Sequence, residues 1–282
     1  MVFTTLVDTA TLAAHLDDPD WVVFDCRFDL TKPDAGQRAY AEAHIPGARY
    51  AHLDNDLSSP ITPDSGRHPL PDVEVLAAKL GRWGVSRRTQ VVAYDGGAGA
   101  VAARLWWLLR WLGHEAVAVL DGGLSKWQKE QRPVTRDAPT ITPTVFEAAV
   151  DDSLWVQTPV VERLIAEGSH LLVDARAAPR FKGEREPIDK VAGHIPGAAN
   201  RPFDNNVDAH GCFLQDDVLR SQFQELLQGK EPAQAINMCG SGVTACHNIL
   251  AMERAGLPGA KLYVGSWSEW IRDSRRPVAK EA

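Results

Sequence analysis

Ala235-Ile236-Asn237-Met238-Cys239-Gly240-Ser241-Gly242-Val243-Thr244-Ala245-Cys246-His247-Asn248-Ile249-Leu250 reads as a short buried strand, a glycine-punctuated turn and a helix. The helix carries Ile249, Leu250, Met252 and Ala255 on its apolar face. Cys239 falls where strand gives way to turn. Gly240 and Gly242 allow a tight backbone curl, because glycine tolerates positive φ without steric cost. Such a curl turns successive N–H groups toward its centre, at the positive end of the following helix. A thiol there is expected to ionise readily: a free cysteine near pKa ~8.5 falls to roughly 3.5–7.5 in such settings. A lone cysteine after a strand also serves as a small buried hydrophobe. Two glycines, Ser241 and Thr244 pack a core poorly, however, and suit an anion cradle. The phosphatase pattern needs an arginine six residues after the cysteine, and that position is Ala245. Without a guanidinium there is no bidentate clamp for a phosphoryl group. A cysteine carrying an outer sulfur fits the loop better.

The rest of the chain bounds that reading. Its 282 residues suggest about two domains, and 44% hydrophobic with 24% charged residues is ordinary globular composition. A net charge of −7 argues against nucleic acid or an anionic membrane as partner. No apolar run reaches the ~18–20 residues of a membrane span. The start, Met1-Val2-Phe3-Thr4-Thr5-Leu6, lacks the basic and apolar regions of a signal peptide, so a reducing cytoplasm is expected. Cys26, Cys212, Cys239 and Cys246 form no C-x-x-C pair, which suggests neither a zinc site nor a redox dithiol. No metal or cofactor is expected.

Outward from Cys239, the chain repeats itself. Thr9 to Leu16 reads as a capped helix, Trp21 to Phe24 as a buried strand, followed by Asp25-Cys26-Arg27 and His44-Ile45-Pro46-Gly47-Ala48. Val160 to Ala166, Leu171 to Val173, Asp174-Ala175-Arg176 and His194-Ile195-Pro196-Gly197-Ala198 follow in the same order. Gln90-Val91-Val92-Ala93-Tyr94-Asp95-Gly96-Gly97 is the counterpart of the Cys239 stretch, and Asp121-Gly122-Gly123 with Trp127 that of Gly265-Ser266 with Trp270. The pairs Asp25/Asp174, His44/His194, Asp95/Cys239 and Trp127/Trp270 are offset by 149, 150, 144 and 143 residues. The chain is therefore expected to hold two copies of one α/β domain, at residues 1–131 and 151–282, joined by a proline-marked linker at 132–150. Strands alternating with helices predict, in each copy, a mostly parallel sheet covered by helices on both faces. Ligands of such sheets sit beyond the carboxyl ends of the strands, where Cys239 lies. The first copy has Asp95 in that place, so only the second can perform thiol chemistry.

The paired Asp-x-Arg and His-Ile-Pro-Gly-Ala motifs, Asp121-Gly122-Gly123, Gly265-Ser266-Trp267-Ser268-Glu269-Trp270 and the Cys239 loop together resemble the tandem-domain rhodanese sulfurtransferases, end to end. Within that family, Cys-Gly-Ser-Gly-Val-Thr is similar to the loop of 3-mercaptopyruvate sulfurtransferases. Thiosulfate-using members usually place charged residues where this chain has Gly240 and Ser241. The resemblance implies attack by Cys239 on the sulfur of 3-mercaptopyruvate, loss of pyruvate, and a persulfide held by the loop amides of Gly240, Ser241, Gly242, Val243 and Thr244. A thiol acceptor, such as thioredoxin or a small thiol, or cyanide in an assay, then takes the outer sulfur. It also implies that Ser241 works with Asp54 and His68, and that Arg180 binds the substrate. Taken alone, Asp54 also reads as a turn residue in Asp54-Asn55-Asp56, and His68 and Arg180 as surface-loop side chains.

One departure from the family pattern concerns charge. A second family arginine, in Glu-Pro-Arg, is replaced in Glu186-Pro187-Ile188, which leaves Lys190 or Arg185 to substitute as a point charge. Arg176 and Arg27 are expected to pair with Asp174 and Asp25. His44 and His194 recur in both copies, so they read as hydrogen-bonding turn residues. Trp106, Trp107 and Trp111, at helical spacing with Leu105, Leu108, Leu109 and Leu112, read as core. Cys26 and Cys246 are expected to pack, and Cys212 is a loop thiol with no evident partner. Two other functions stay open: a sulfurtransferase using thiosulfate, and a persulfide carrier loaded by a partner protein. A phosphatase is the remote fourth reading.

Overall fold

The computed structural model describes residues 2–281. The first half runs β1 Leu6–Val7, α1 Thr9–Ala14, β2 Trp21–Asp25, α2 Ala35–Glu42, β3 Arg49–Tyr50, α3 Val73–Arg82, β4 Gln90–Tyr94, α4 Ala102–Trp111, β5 Val117–Leu120 and α5 Gly123–Lys129. The second half follows with β6 Trp155–Val156, α6 Thr158–Ala166, β7 Leu171–Asp174, α7 Ala178–Lys182, β8 Ala199–Asn200, α8 Asp216–Leu227, β9 Ala235–Met238, α9 Ala245–Arg254, β10 Lys261–Tyr263 and α10 Ser266–Trp270. Two five-stranded sheets result, ordered β1-β5-β4-β2-β3 and β6-β10-β9-β7-β8, with every pair parallel. The same order in both sheets is the repeat read in the sequence.

Local sequence explains the elements. Gln90–Tyr94 and Ala235–Met238 are buried along their whole length, as strands sandwiched between helices must be. Asp8 and Asp72 start α1 and α3 by accepting the Thr11 and Val75 N–H groups. Trp127 and Trp270, equivalent in the repeat, each close their sheet's core, with Val23, Val92 and Leu120 in the first and Leu172, Ile236 and Tyr263 in the second. Trp106, Trp107 and Trp111 are buried on α4, as their spacing predicts.

The chain forms two compact units whose composition differs from a contiguous division at 131 and 151. Residues 2–59, 70–151 and 208–213 make the first, and 60–69, 152–207 and 214–281 the second. Residues 132–150, expected as a linker, belong to the first unit. Thr135 pairs with His44, Thr144 N–H donates to Gly81 O at 2.8 Å, and Phe146 is buried. Residues 60–69 group with the second unit because backbone groups fix them there: the Arg67 N–H donates to Ser268 Oγ at 3.0 Å, and Ser65 O accepts from Arg272 Nε at 2.7 Å. No helix among the described residues is long and apolar enough to cross a membrane.

Candidate active site

β9 ends at Met238, and Cys239 begins the turn that leads into α9. The Ser241 and Gly242 N–H groups point at Cys239 Sγ, at 3.4 and 3.1 Å. Gly242 has φ +78°, and a Cβ there would lie 2.6 Å from Val264 O. Only glycine therefore permits this curl. The loop is braced by the start of α10. The Cys239 N–H donates to Ser266 Oγ (3.2 Å), while the Trp267 and Ser268 N–H groups donate to the Cys239 and Gly240 carbonyls at 3.0 and 2.9 Å. Ser266 itself sits at φ +52°, fully buried, its hydroxyl donating to Tyr263 O at 2.8 Å. A strained non-glycine residue costs of order 1–3 kcal/mol and persists only when its surroundings enforce it. Here those hydrogen bonds enforce it, and they also fix the cysteine's backbone.

The first unit provides an internal comparison. Its equivalent turn carries Asp95, whose carboxylate accepts the Gly97, Gly99 and Val101 N–H groups at 3.0, 3.0 and 2.9 Å. The repeated loop is thus an anion cradle in both copies. One is filled by its own carboxylate, the other holds a sulfur.

Around Cys239, the structure brings together most of the residues that the sequence marked in the second unit. His68 and Ser241 are buried, with His68 Nδ1 2.7 Å from Ser241 Oγ. The surface-loop reading of His68 is therefore corrected. Gly240 lies under the arginines: a Cβ there would stand 2.7 Å from Arg67 Nη2 and 3.5 and 3.7 Å from the two Arg180 terminal nitrogens. Arg180, on α7, is not a solvated loop residue. Its Nε lies 3.0 Å from both Glu186 carboxylate oxygens, and its Nη2 3.0 Å from Asp189. Val243 and Thr244 complete the turn, their carbonyls accepting the first N–H groups of α9. Asp54 belongs to the first unit, in the turn after β3, where its N–H donates to His52 Nδ1 at 3.1 Å. Burial raises its carboxyl above the ordinary range.

Charge around the loop is organised by a chain of ion pairs. Arg176 is locked onto Asp174 (2.6 Å), reaches Glu186 (3.5 Å) and lies over the Trp267 ring at 4.6 Å. Glu186 also accepts the Ile188 and Asp189 N–H groups, each at 3.0 Å. Asp189, its carboxyl raised by burial, bridges Arg180 and Arg67. Lys190 and Arg185, the substitutes considered for the missing arginine, are exposed, and the second guanidinium beside the loop is that of Arg67. Arg67, Asp189 and Ser266 were missed as site residues. The only hint of Arg67 was its place before His68.

The other motif residues have structural duties. His44 Nδ1 lies 2.7 Å from Tyr40 O, and His194 Nδ1 2.8 Å from Phe181 O. Arg27 pairs with Asp25 as Arg176 does with Asp174. Cys26 is fully buried, and burial pushes its thiol well above the ordinary range, which disfavours a thiolate. Cys246 is buried in α9 with Sγ donating to Gly242 O at 3.3 Å. Cys212 is half-buried, and burial raises its thiol above the ordinary value. Among the described residues no group of His, Cys, Asp and Glu is arranged to hold a metal.

Comparison with known proteins agrees with this geometry. The rhodanese-like domain model matches residues 8–130 and 158–273. The probable 3-mercaptopyruvate sulfurtransferase of Pseudomonas aeruginosa is 49% identical over 276 residues, 97% of each chain. The thiosulfate sulfurtransferase of Cricetulus griseus is 34% identical over 286 residues, covering 97% of this chain and 94% of that one. The solved 3-mercaptopyruvate sulfurtransferase from Leishmania major superimposes with a TM-score of 0.85 at 29% identity, over 98% of this chain and 76% of that one.

Proposed function

For this chain, which belongs to the rhodanese family, we propose the transfer of sulfur from 3-mercaptopyruvate to a thiol acceptor through a persulfide on Cys239. The observation that carries the reading is the buried His68–Ser241 pair, two residues along the loop from the cysteine. Two donors differ in what they require. When thiosulfate gives up its outer sulfur, sulfite departs as a stable anion and needs no proton. When 3-mercaptopyruvate does so, the C–S bond breaks toward carbon and leaves the pyruvate enolate, which must be protonated. A hydrogen-bonded serine and histidine provide a proton path only the second donor needs.

The step balances as follows. Cys239 thiolate attacks the substrate sulfur, an S–S bond forms, and the C–S electron pair passes into the enolate. The proton of the substrate thiol returns to the enolate carbon through Ser241 and His68, giving pyruvate and a Cys239 persulfide anion. The Ser241 and Gly242 N–H groups oppose negative charge on the cysteine sulfur. Val243 and Thr244, next along the loop, supply N–H groups for the outer sulfur. Arg180 holds the substrate carboxylate. For Asp54 the proposal rests on the family resemblance alone, and Asp54→Asn tests it. In this reading residues 1–131 are the non-catalytic copy and 151–282 the catalytic one, and the acceptor is thioredoxin or a small thiol in the cytoplasm.

The test is steady-state kinetics with 3-mercaptopyruvate and with thiosulfate, cyanide as common acceptor and Cys239→Ser as blank. A large preference for 3-mercaptopyruvate, lost in the blank, is expected. A preference for thiosulfate overturns the donor assignment. Inactivity with both, together with loading of Cys239 by a protein persulfide, makes the chain a sulfur carrier.

A further inference from the structure

We propose that Ser268 is a positioning residue of the proton path, set between the Cys239 loop and residues 60–69 so that Ser241 and His68 meet. This rests on the donor reading above. Ser268 is buried in α10. Its N–H donates to Gly240 O at 2.9 Å, one residue before Ser241 in the chain. Its Oγ accepts the Arg67 N–H at 3.0 Å, one residue before His68. The two side chains that follow those contacts, Ser241 and His68, stand 2.7 Å apart. The Trp267 N–H goes to the loop, at Cys239 O, and Arg272 Nε to the segment, at Ser65 O, whereas Ser268 binds both.

The repeat supplies a comparison. Ser125 is the counterpart of Ser268, 143 residues earlier, as Trp127 is of Trp270. Its N–H donates to Gly96 O at 3.1 Å, as that of Ser268 does to Gly240 O. Its hydroxyl, however, donates to the same Gly96 carbonyl. Beside the thiol, the serine hydroxyl instead faces Gly265 O at 3.5 Å and turns a lone pair to the segment that carries His68. Gly66 makes that contact direct. A Cβ there would lie 2.6 Å from Gly265 O and 3.1 Å from Ser268 Oγ, so the segment comes this close only with a bare backbone. An acid–base path works over hydrogen bonds of about 2.6–3.2 Å, and a misplacement of about 1 Å can cost roughly 10²-fold. Losing the Ser268 acceptor frees the Arg67 N–H and slackens the residue next to His68, while Arg272 and the close packing of Gly66 limit the drift.

Ser268→Ala keeps the N–H on Gly240 O and removes only the hydroxyl. It should lower kcat for 3-mercaptopyruvate about tenfold with KM little changed, less than the roughly 10²-fold of a full 1 Å misplacement because the segment keeps its other anchors. Its kcat/KM for thiosulfate, whose sulfite needs no proton, should stay unchanged. Ser268→Thr, which keeps a hydroxyl, should recover most of the loss. An unchanged kcat in Ser268→Ala overturns the proposal, and so do equal losses with both donors, which would make Ser268 only a brace of the Cys239 loop. If the unmodified protein does not turn over 3-mercaptopyruvate, the donor reading falls by itself. NMR titration of the His68 imidazole then decides without any donor. Ser268→Ala should move its midpoint in the direction that Ser241→Ala does, and a midpoint equal to that of the unmodified protein overturns the assignment.

Discussion

Alanine at Gly242 tests the sulfur cradle through a single methyl group. At φ +78° a side chain costs about 1–2 kcal/mol by itself. The new Cβ would also stand 2.6 Å from Val264 O, a backbone atom that cannot swing aside, so the loop must open. Opening withdraws the Gly242 N–H that lies 3.1 Å from Cys239 Sγ. A hydrogen bond to a charged group contributes about 1.5–3 kcal/mol. That corresponds to roughly 10- to 150-fold in kcat/KM, and the lower half of the range is expected because sulfur is a large, soft acceptor. Gly240→Ala is the control. Its φ is not positive, and its Cβ would meet the end of the Arg67 side chain, 2.7 Å away, a side-chain terminus and not backbone. Steady-state kinetics with 3-mercaptopyruvate and thiosulfate should show Gly242→Ala impaired with both donors. Gly240→Ala should keep kcat within about threefold, an effect under ~1 kcal/mol. Retention of full activity by Gly242→Ala, or equal damage from the two substitutions, would refute the argument that this amide carries the cradle.

Three further outcomes follow from named contacts. Ser241→Ala removes the hydroxyl 2.7 Å from His68 Nδ1, so turnover of 3-mercaptopyruvate should fall by about 10²-fold, a typical acid–base contribution; an equal fall with thiosulfate would remove the donor-specific role. Arg176→Ala leaves Asp174 charged and fully buried, which should cost about 3–5 kcal/mol. Arg27→Ala should cost less, because Arg27 is 16% exposed against 1% for Arg176, and Asp25 keeps the Tyr94 hydroxyl at 2.9 Å; equal losses in urea unfolding would show that burial does not decide. His114, buried with Nε2 2.9 Å from Thr89 O, has its pKa lowered by desolvation. The fold keeps it neutral while the unfolded chain takes up a proton near pH ~6.5, so its stabilising contribution is full above about pH 6.5 and shrinks as pH falls below it. Melting curves from pH 7.5 to 5 should fall more steeply for the unmodified protein than for His114→Gln, and parallel curves would contradict this.

Much of the molecule could be read from local pattern. Buried strands such as Gln90–Tyr94 announce themselves as continuous apolar runs, and the four repeated landmarks imply one topology used twice. The Cys239 loop could be read because its glycines, hydroxyls and following helix are adjacent in sequence. Ser266 could not be: that a serine would be forced to positive φ to brace Cys239 depends on contacts 27 residues away. Asp95 looked like a simple loss of the cysteine, and only the hydrogen bonds of its carboxylate show that the cradle persists in the first unit.

By itself the sequence determined the two-copy α/β architecture, the family, and Cys239 as the thiol placed for chemistry, because strand periodicity, turn chemistry and repetition are local properties. The tertiary structure decided what surrounds that thiol. His68 meets Ser241 across 173 residues, and Arg67 meets Asp189 across 122. Both come from a ten-residue segment that packs with the second unit, although it lies far from it in sequence. No local periodicity encodes such a meeting. It follows from where backbone hydrogen bonds and charge pairing hold that segment once both sheets have formed.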